Sequence, residues 1–283
     1  MGGNRKSRPD RKPGRTTAGR VKGRAAKNRN RKAPGPTQEI LYGYHSVYEA
    51  LRSGRRQFDA VLLSDRRSDP RVEKVGKLAQ AKGIPLQDAD LDTLERLAQG
   101  GNHQGIAARV SVFPVKPVED IWAELRNRET PFFILMAESI EDPHNLGALI
   151  RTALCADVDY IVVPKDRSAL PTPAVSRTSA GAMEHADIFV ATNLAALMRD
   201  LKKEGAWISG LDAGGDKELF DADLTGNLVL VVGGEHKGIR PGVRKECDFI
   251  LSIPISGKVN SLNASVAGGV AMYEARRQRG YGN

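Results

Sequence analysis

Apolar residues along this chain follow two rhythms. In one they stand side by side and are often β-branched, over residues 60–63, 132–136, 160–163, 188–190, 207–211, 228–232 and 249–255. In the other they recur every three or four positions, over 70–82, 90–97, 145–156, 172–185, 194–204 and 263–278. Continuous short runs mark strands covered on both faces, and the longer period marks helices with one buried stripe. Weaker signals add a short helix at 45–51, closed by Ser53-Gly54, a strand start at 84–86 and a strand at 104–110. Such alternation predicts an α/β fold with a mostly parallel sheet and helices on both faces.

The pattern breaks into segments. Residues 38–112 form a small α/β unit, and 113–129, with Pro114, Pro117 and a short helix around Ile121, Trp122 and Leu125, read as a linker. Residues 130–283 form the larger α/β unit. Residues 1–37 are too poor in apolar side chains to offset chain entropy and are expected to be a disordered basic tail.

Two strand ends draw attention. The run at 228–232 leads into Gly233-Gly234-Glu235-His236-Lys237-Gly238-Ile239, and the run at 249–255 into Ser256-Gly257-Lys258-Val259-Asn260-Ser261-Leu262-Asn263-Ala264-Ser265. Small residues after a buried strand let backbone amides approach a ligand, and open α/β sheets bind ligands at that end. Neither loop has the G-x-G-x-x-G or P-loop spacing, which excludes a nicotinamide dehydrogenase built on that fingerprint. Near them, Asn145 is expected to cap the helix at 145–156 and Arg151 to lie off its buried stripe of Leu146, Leu149, Ile150 and Leu154. Each residue also has an ordinary reading: Arg151 as a solvated face, Glu235 as a loop acid, Ser261 as a turn residue and Asn263 as a cap. Gly268-Gly269, inside the last helix, implies close approach of another element, because glycine there costs about 1 kcal/mol against alanine.

Charge sharpens the picture. Of 43 Lys and Arg, 13 lie in residues 1–36 with one acid, so a tail of +12 precedes a body of −3. A basic arm on a near-neutral body suits a polyanion such as RNA. No stretch reaches the roughly 20 apolar residues of a membrane helix, and no secretory signal is recognised, so a cytoplasmic protein is expected. Cys155 and Cys247 read as buried free thiols, and neither they nor the five histidines show metal-ligand spacing. No metal is expected.

Residues Asn145-Leu146-Gly147 to Arg151, then 230–239, then 252–255 through 260–267, together resemble the three ordered motifs of the SpoU/TrmH family of RNA ribose 2′-O-methyltransferases, within the SPOUT superfamily. Leu41-Tyr42-Gly43-Tyr44-His45-Ser46-Val47 and His103-Gln104-Gly105-Ile106-Ala107-Ala108 resemble the substrate-binding domain of its RlmB branch, a fold akin to a ribosomal protein. The resemblance implies a deep trefoil knot in the larger unit, a feature rare enough that no periodicity suggests it. It also implies a homodimer and S-adenosyl-L-methionine as methyl donor, with a guanosine ribose of large-subunit ribosomal RNA as substrate. By the same likeness Arg151, Asn145, Glu235, Ser261 and Asn263 are the expected catalytic residues. Gly233, Gly234, Ile253, Pro254, Leu262 and Ser265 are expected at the cofactor. A tRNA ribose methyltransferase and a non-catalytic ribosome-assembly factor on the same fold remain alternatives.

Overall fold

The computed structural model describes residues 38–65, 69–235 and 238–280, so the expected disordered tail lies outside the described residues. The first lobe runs β1 (Gln38–Tyr42), α1 (Tyr44–Ser53), β2 (Phe58–Leu63), α2 (Pro70–Ala81), β3 (Leu86–Asp88), α3 (Leu91–Ala98) and β4 (Ile106–Ser111). Its sheet has the order β1-β4-β2-β3, with β4 antiparallel to both neighbours and β2 parallel to β3. Val47, Ala50 and Leu51 of α1 and Val72, Val75 and Ala79 of α2 bury one face, while Leu94 of α3 packs with Leu62 and Ala107 on the other. Helix α2 starts where Asp69 accepts from the Arg71 amide with Pro70 in the first turn, a self-contained start signal.

The second lobe continues with β5 (Lys116–Pro117), α4 (Ile121–Arg126), β6 (Phe133–Glu138), α5 (Pro143–Cys155), β7 (Tyr160–Pro164), α6 (Pro173–Thr178), β8 (Ile188–Ala191) and α7 (Leu194–Lys203). It closes with β9 (Trp207–Leu211), β10 (Lys217–Glu218), β11 (Leu228–Gly233), α8 (Pro241–Arg244), β12 (Phe249–Ser252) and α9 (Ala264–Arg279). All eight strands pair in parallel, in the order β10-β12-β9-β11-β6-β7-β8-β5. One face is sealed by α5 and α9 through Leu146, Leu149, Ile150, Ala271 and Met272; the other by α4 and α7 through Ile121, Leu194, Met198 and Leu201. Helices on both faces explain why the central strands carry unbroken apolar runs.

Several elements differ from the sequence reading. The segment read as a connector supplies the edge strand β5 and a buried Ile121. The helix expected over 172–185 stops at Thr178, passes through left-handed Ala180 and Gly181, and resumes as a 3-10 turn at Ala182–His185. A Cβ at Gly181 would stand 2.6 Å from the His45 carbonyl oxygen, so the break lets α1 approach. Strand β12 ends at Ser252, short of 255, as Pro254 has no N–H for the ladder. Helix α5 begins at Pro143, capped by Asp142, which accepts from the His144 amide; Asn145 therefore is not the cap and its side chain is free for another partner. Cys155 is exposed, not buried as expected, because it closes α5 outside the apolar stripe. Cys247 is half-buried, and that burial pushes its thiol up to about 11.

The lobes are joined by a buried ion pair. Arg56, between α1 and β2, donates from Nε (2.7 Å) and Nη2 (3.0 Å) to Glu184, and both side chains are fully buried. Its Nη1 donates to Glu39 (2.6 Å) and to the Ser111 carbonyl (2.9 Å), while Ser176 Oγ donates to Glu184 (2.7 Å). Burial opposes the Arg56 charge, but Glu184 and Glu39 outweigh it and hold its pKa above the ordinary value.

Candidate functional site

A cavity of about 570 Å³ opens at the carboxyl ends of β9, β11 and β12. The loops after β11 and β12 both reach it, as the two glycine- and serine-rich stretches suggest. Its walls are Val232, Leu251, Ile253, Ile255 and Leu262 on the apolar side; Gly233, Gly234 and Gly238 present backbone. A Cβ at Gly233 would lie 2.4 Å from the Gly238 carbonyl carbon, and one at Gly234 2.2 Å from the Ser139 carbonyl oxygen, so the loop can fold this tightly only with glycine at both positions.

At the rim three side chains from distant parts of the chain meet. Asn145 Nδ2 donates to Glu235 Oε1, and Asn263 Nδ2 donates both to that same oxygen (2.9 Å) and to Asn145 Oδ1 (3.0 Å). Asn263 is fixed from its other side as well, because its Oδ1 caps α9 by accepting from the amides of Ser265 (2.9 Å) and Val266 (3.2 Å). Glu235 thus uses one carboxylate oxygen for both amides, and Oε2 has no hydrogen-bond partner among the described residues. The arrangement presents an oriented acceptor beside an apolar slot, which suits a ligand with a planar ring at one end and polar groups at the other.

Of the expected residues, Glu235, Ser261, Asn263, Gly233, Gly234, Ile253 and Leu262 line the cavity, and Asn145 joins through its hydrogen bonds. Pro254 and Ser265 do not line it; Ser265 Oγ instead donates to the Asn263 cap (2.6 Å). Arg151 is not brought in either. Six positions beyond Asn145, it lies roughly 120° around α5 and faces a separate groove with His45, Glu49, Arg52, Cys155 and His185. Arg151 is exposed and without an ion pair among the described residues. The sequence reading missed Leu211, Asp212 and Ala213, which form the third wall after β9; Gly214-Gly215 just beyond them was the available signal. Among the described residues no three His, Cys, Asp or Glu side chains are grouped to hold a metal ion, and no helix is long and apolar enough to cross a membrane.

Comparison with known proteins places these features in a family. Residues 132–273 match the SpoU rRNA Methylase family, and residues 40–114 match a domain described as RNA 2′-O ribose methyltransferase substrate binding. A Pseudomonas putida protein named 23S rRNA (guanosine-2′-O-)-methyltransferase RlmB is 38% identical over 247 residues, covering 85% of this chain and 97% of its own. A protein of the same name from Shewanella oneidensis is 40% identical over 242 residues, covering 86% and 98%. Among solved structures, the SpoU methyltransferase AviRb from Streptomyces viridochromogenes, in complex with AdoMet, superposes with a TM-score of 0.71 at 22% identity, over 86% of this chain and 90% of that one. The last likeness is one of fold; the sequence matches go further, and by them this chain belongs to the SpoU rRNA methylase family.

Proposed function

We propose that this protein transfers a methyl group from S-adenosyl-L-methionine to the ribose 2′-oxygen of a guanosine in 23S-type ribosomal RNA. The observation that carries this reading is the Asn145–Glu235–Asn263 cluster at the mouth of a glycine-walled cavity, in a chain 38–40% identical over most of its length to proteins of that name. The cavity suits the donor: about 570 Å³ falls within the roughly 300–1,000 Å³ of small-molecule sites, and its apolar side can take a nucleoside base. When bound, the donor supplies an electrophilic methyl group on a positively charged sulfur.

The chain's own residues do the rest. Backbone at Gly233, Gly234 and Gly238 and side chains of Ile253 and Leu262 hold the donor, while Ser261 and the Asn145–Glu235–Asn263 cluster orient polar groups at the reacting end. In-line displacement depends on such alignment. A guanidinium is no general base; that of Arg151, exposed on a groove apart from this cavity, is suited to an RNA phosphate. The proton leaves to solvent or to a neighbouring group.

The same reading assigns 1–37 as a basic RNA-binding tail, 38–112 as the RNA-binding domain, 113–129 as linker and 130–283 as the methyltransferase domain. It includes a deep trefoil knot formed as α9 passes the loops around the cavity, a homodimer, and a cytoplasmic location where ribosomal RNA is modified.

The test is methyl transfer to 23S ribosomal RNA fragments, with the modified nucleotide mapped. A single 2′-O-methylguanosine is expected; a mark confined to tRNA, or donor binding without transfer to any RNA, would replace this reading. Arg151→Ala is expected to abolish transfer while leaving donor binding within a few-fold. Transfer at the wild-type rate would remove Arg151 from the chemistry.

A further inference from the structure

Glu138, the last residue of β6, is a carboxylate with none of its surface exposed, and it does not line the cavity. Its Oε1 accepts from Ser139 Oγ (3.0 Å) and from Arg240 Nε, and its Oε2 from the Arg240 backbone amide (3.4 Å). A carboxylate is costly to bury even when paired, and a pair of apolar side chains often fills such a space with equal or greater stability. The ion pair therefore calls for an explanation beyond packing.

The course of the chain provides one. Glu138 stands opposite Gly233 in the β6–β11 ladder, so the ladder fixes where the chain enters the loop after β11. The loop then doubles back: Gly234 and Gly238 form an antiparallel bridge, and the Gly238 amide donates to the Gly234 carbonyl (2.9 Å). Arg240, two residues past Gly238 and just before α8, returns its guanidinium to the Glu138 side chain. Glu138 thus holds entry and exit of one loop, through its backbone register at one end and its carboxylate at the other. Glu235 sits between these two anchors, where it accepts from Asn145 and Asn263.

We propose that Glu138, with Arg240, is a positioning residue that clamps this loop so that Glu235 and the Gly233, Gly234 and Gly238 backbone face the methyl donor. The inference rests on the donor reading of the cavity given above. Removing the charge while keeping the shape, as in Glu138→Gln, should loosen the loop without emptying the core. Arg240→Gln tests the same clamp from its partly exposed end; because it leaves the buried Glu138 charge without its partner, some loss of stability is expected, and the donor and loop measurements below carry the test.

In the full-length protein, both variants are expected to weaken S-adenosyl-L-methionine binding about tenfold by calorimetry and to raise its KM more than they lower kcat. Hydrogen exchange at the Glu235, Gly238 and Ile239 amides should accelerate, with exchange in the first lobe unchanged. The double variant should lose no more than either single one, since both remove one clamp. A lowered melting temperature with wild-type donor affinity, KM and loop exchange overturns the proposal, because a purely structural pair would behave that way. If the wild-type protein takes up no donor, the donor reading fails instead, and unchanged loop exchange in the variants would still count against the clamp.

Discussion

Asn263 shows how one side chain can serve two levels of structure. Its carbonyl oxygen caps α9, and its amide nitrogen joins Glu235 and Asn145. The two roles can be separated by Asn263→Ser, which keeps a capping oxygen and removes both donations. Stability should change by less than about 1 kcal/mol, because serine caps nearly as well, while kcat for methyl transfer should fall at least tenfold. Equal losses in melting temperature and in kcat would show that the cap alone matters. The cap was legible in the sequence, because capping depends on neighbours two and three positions away. The contact with Asn145 was not, because those residues lie 118 positions apart and only folding brings them together. For Asn145 the reverse holds: its sequence position suggests a cap, which Asp142 supplies with Pro143 in the first turn. Arg151 is the clearest residue whose role came from the motif alone, since nothing in its spacing or in its place on α5 joins it to the cavity of its own chain.

At the scale of elements, α9 is the most informative. Its two central glycines are not equivalent. A Cβ at Gly268 would stand 2.5 Å from Leu149 Cδ2 and 3.2 Å from Val232 Cγ2, whereas at Gly269 the nearest side chain is Thr152 Cγ2 at an ordinary 3.6 Å. Gly268→Ala should therefore destabilise by about 1–3 kcal/mol through overpacking. Gly269→Ala should be neutral or stabilising by up to about 1 kcal/mol, as alanine is the better helix former. Chemical denaturation of the two variants checks the contrast, and equal effects would mean that α9 does not pack as described. Close approach was legible from the glycine pair, but which member needs to be small was not. Strands were read well wherever both faces are covered, since burial then writes itself as an unbroken run. Reading failed where a third element decides the geometry, as at Gly181, where α1 comes close enough to end a helix.

The two lobes meet at a charged junction that the sequence did not announce, where the buried Arg56–Glu184 pair is flanked by Arg55 with Asp187 and Glu49 with His185. Arg56 and Glu184 are 128 positions apart, and neither stands in a motif. Breaking a buried pair leaves the partner charged and desolvated, so Arg56→Ala should cost about 3–5 kcal/mol in urea unfolding. Loss of less than about 1 kcal/mol would mean that water reaches Glu184 and that the junction is looser than described.

That junction makes the molecule a gauge. With Arg56 fixed within the first lobe by Glu39 and the Ser111 carbonyl and paired across to Glu184 of the second, the span from a surface of the first lobe to the cavity is set by the fold. On the proposed function, an RNA gripped by the first lobe would offer for methylation the nucleotide that falls at that distance, and the choice of target would in part be a measurement of length. One base pair inserted between the gripped element and the target guanosine should shift the mark to a neighbour or abolish it, even though the local sequence around the guanosine is untouched.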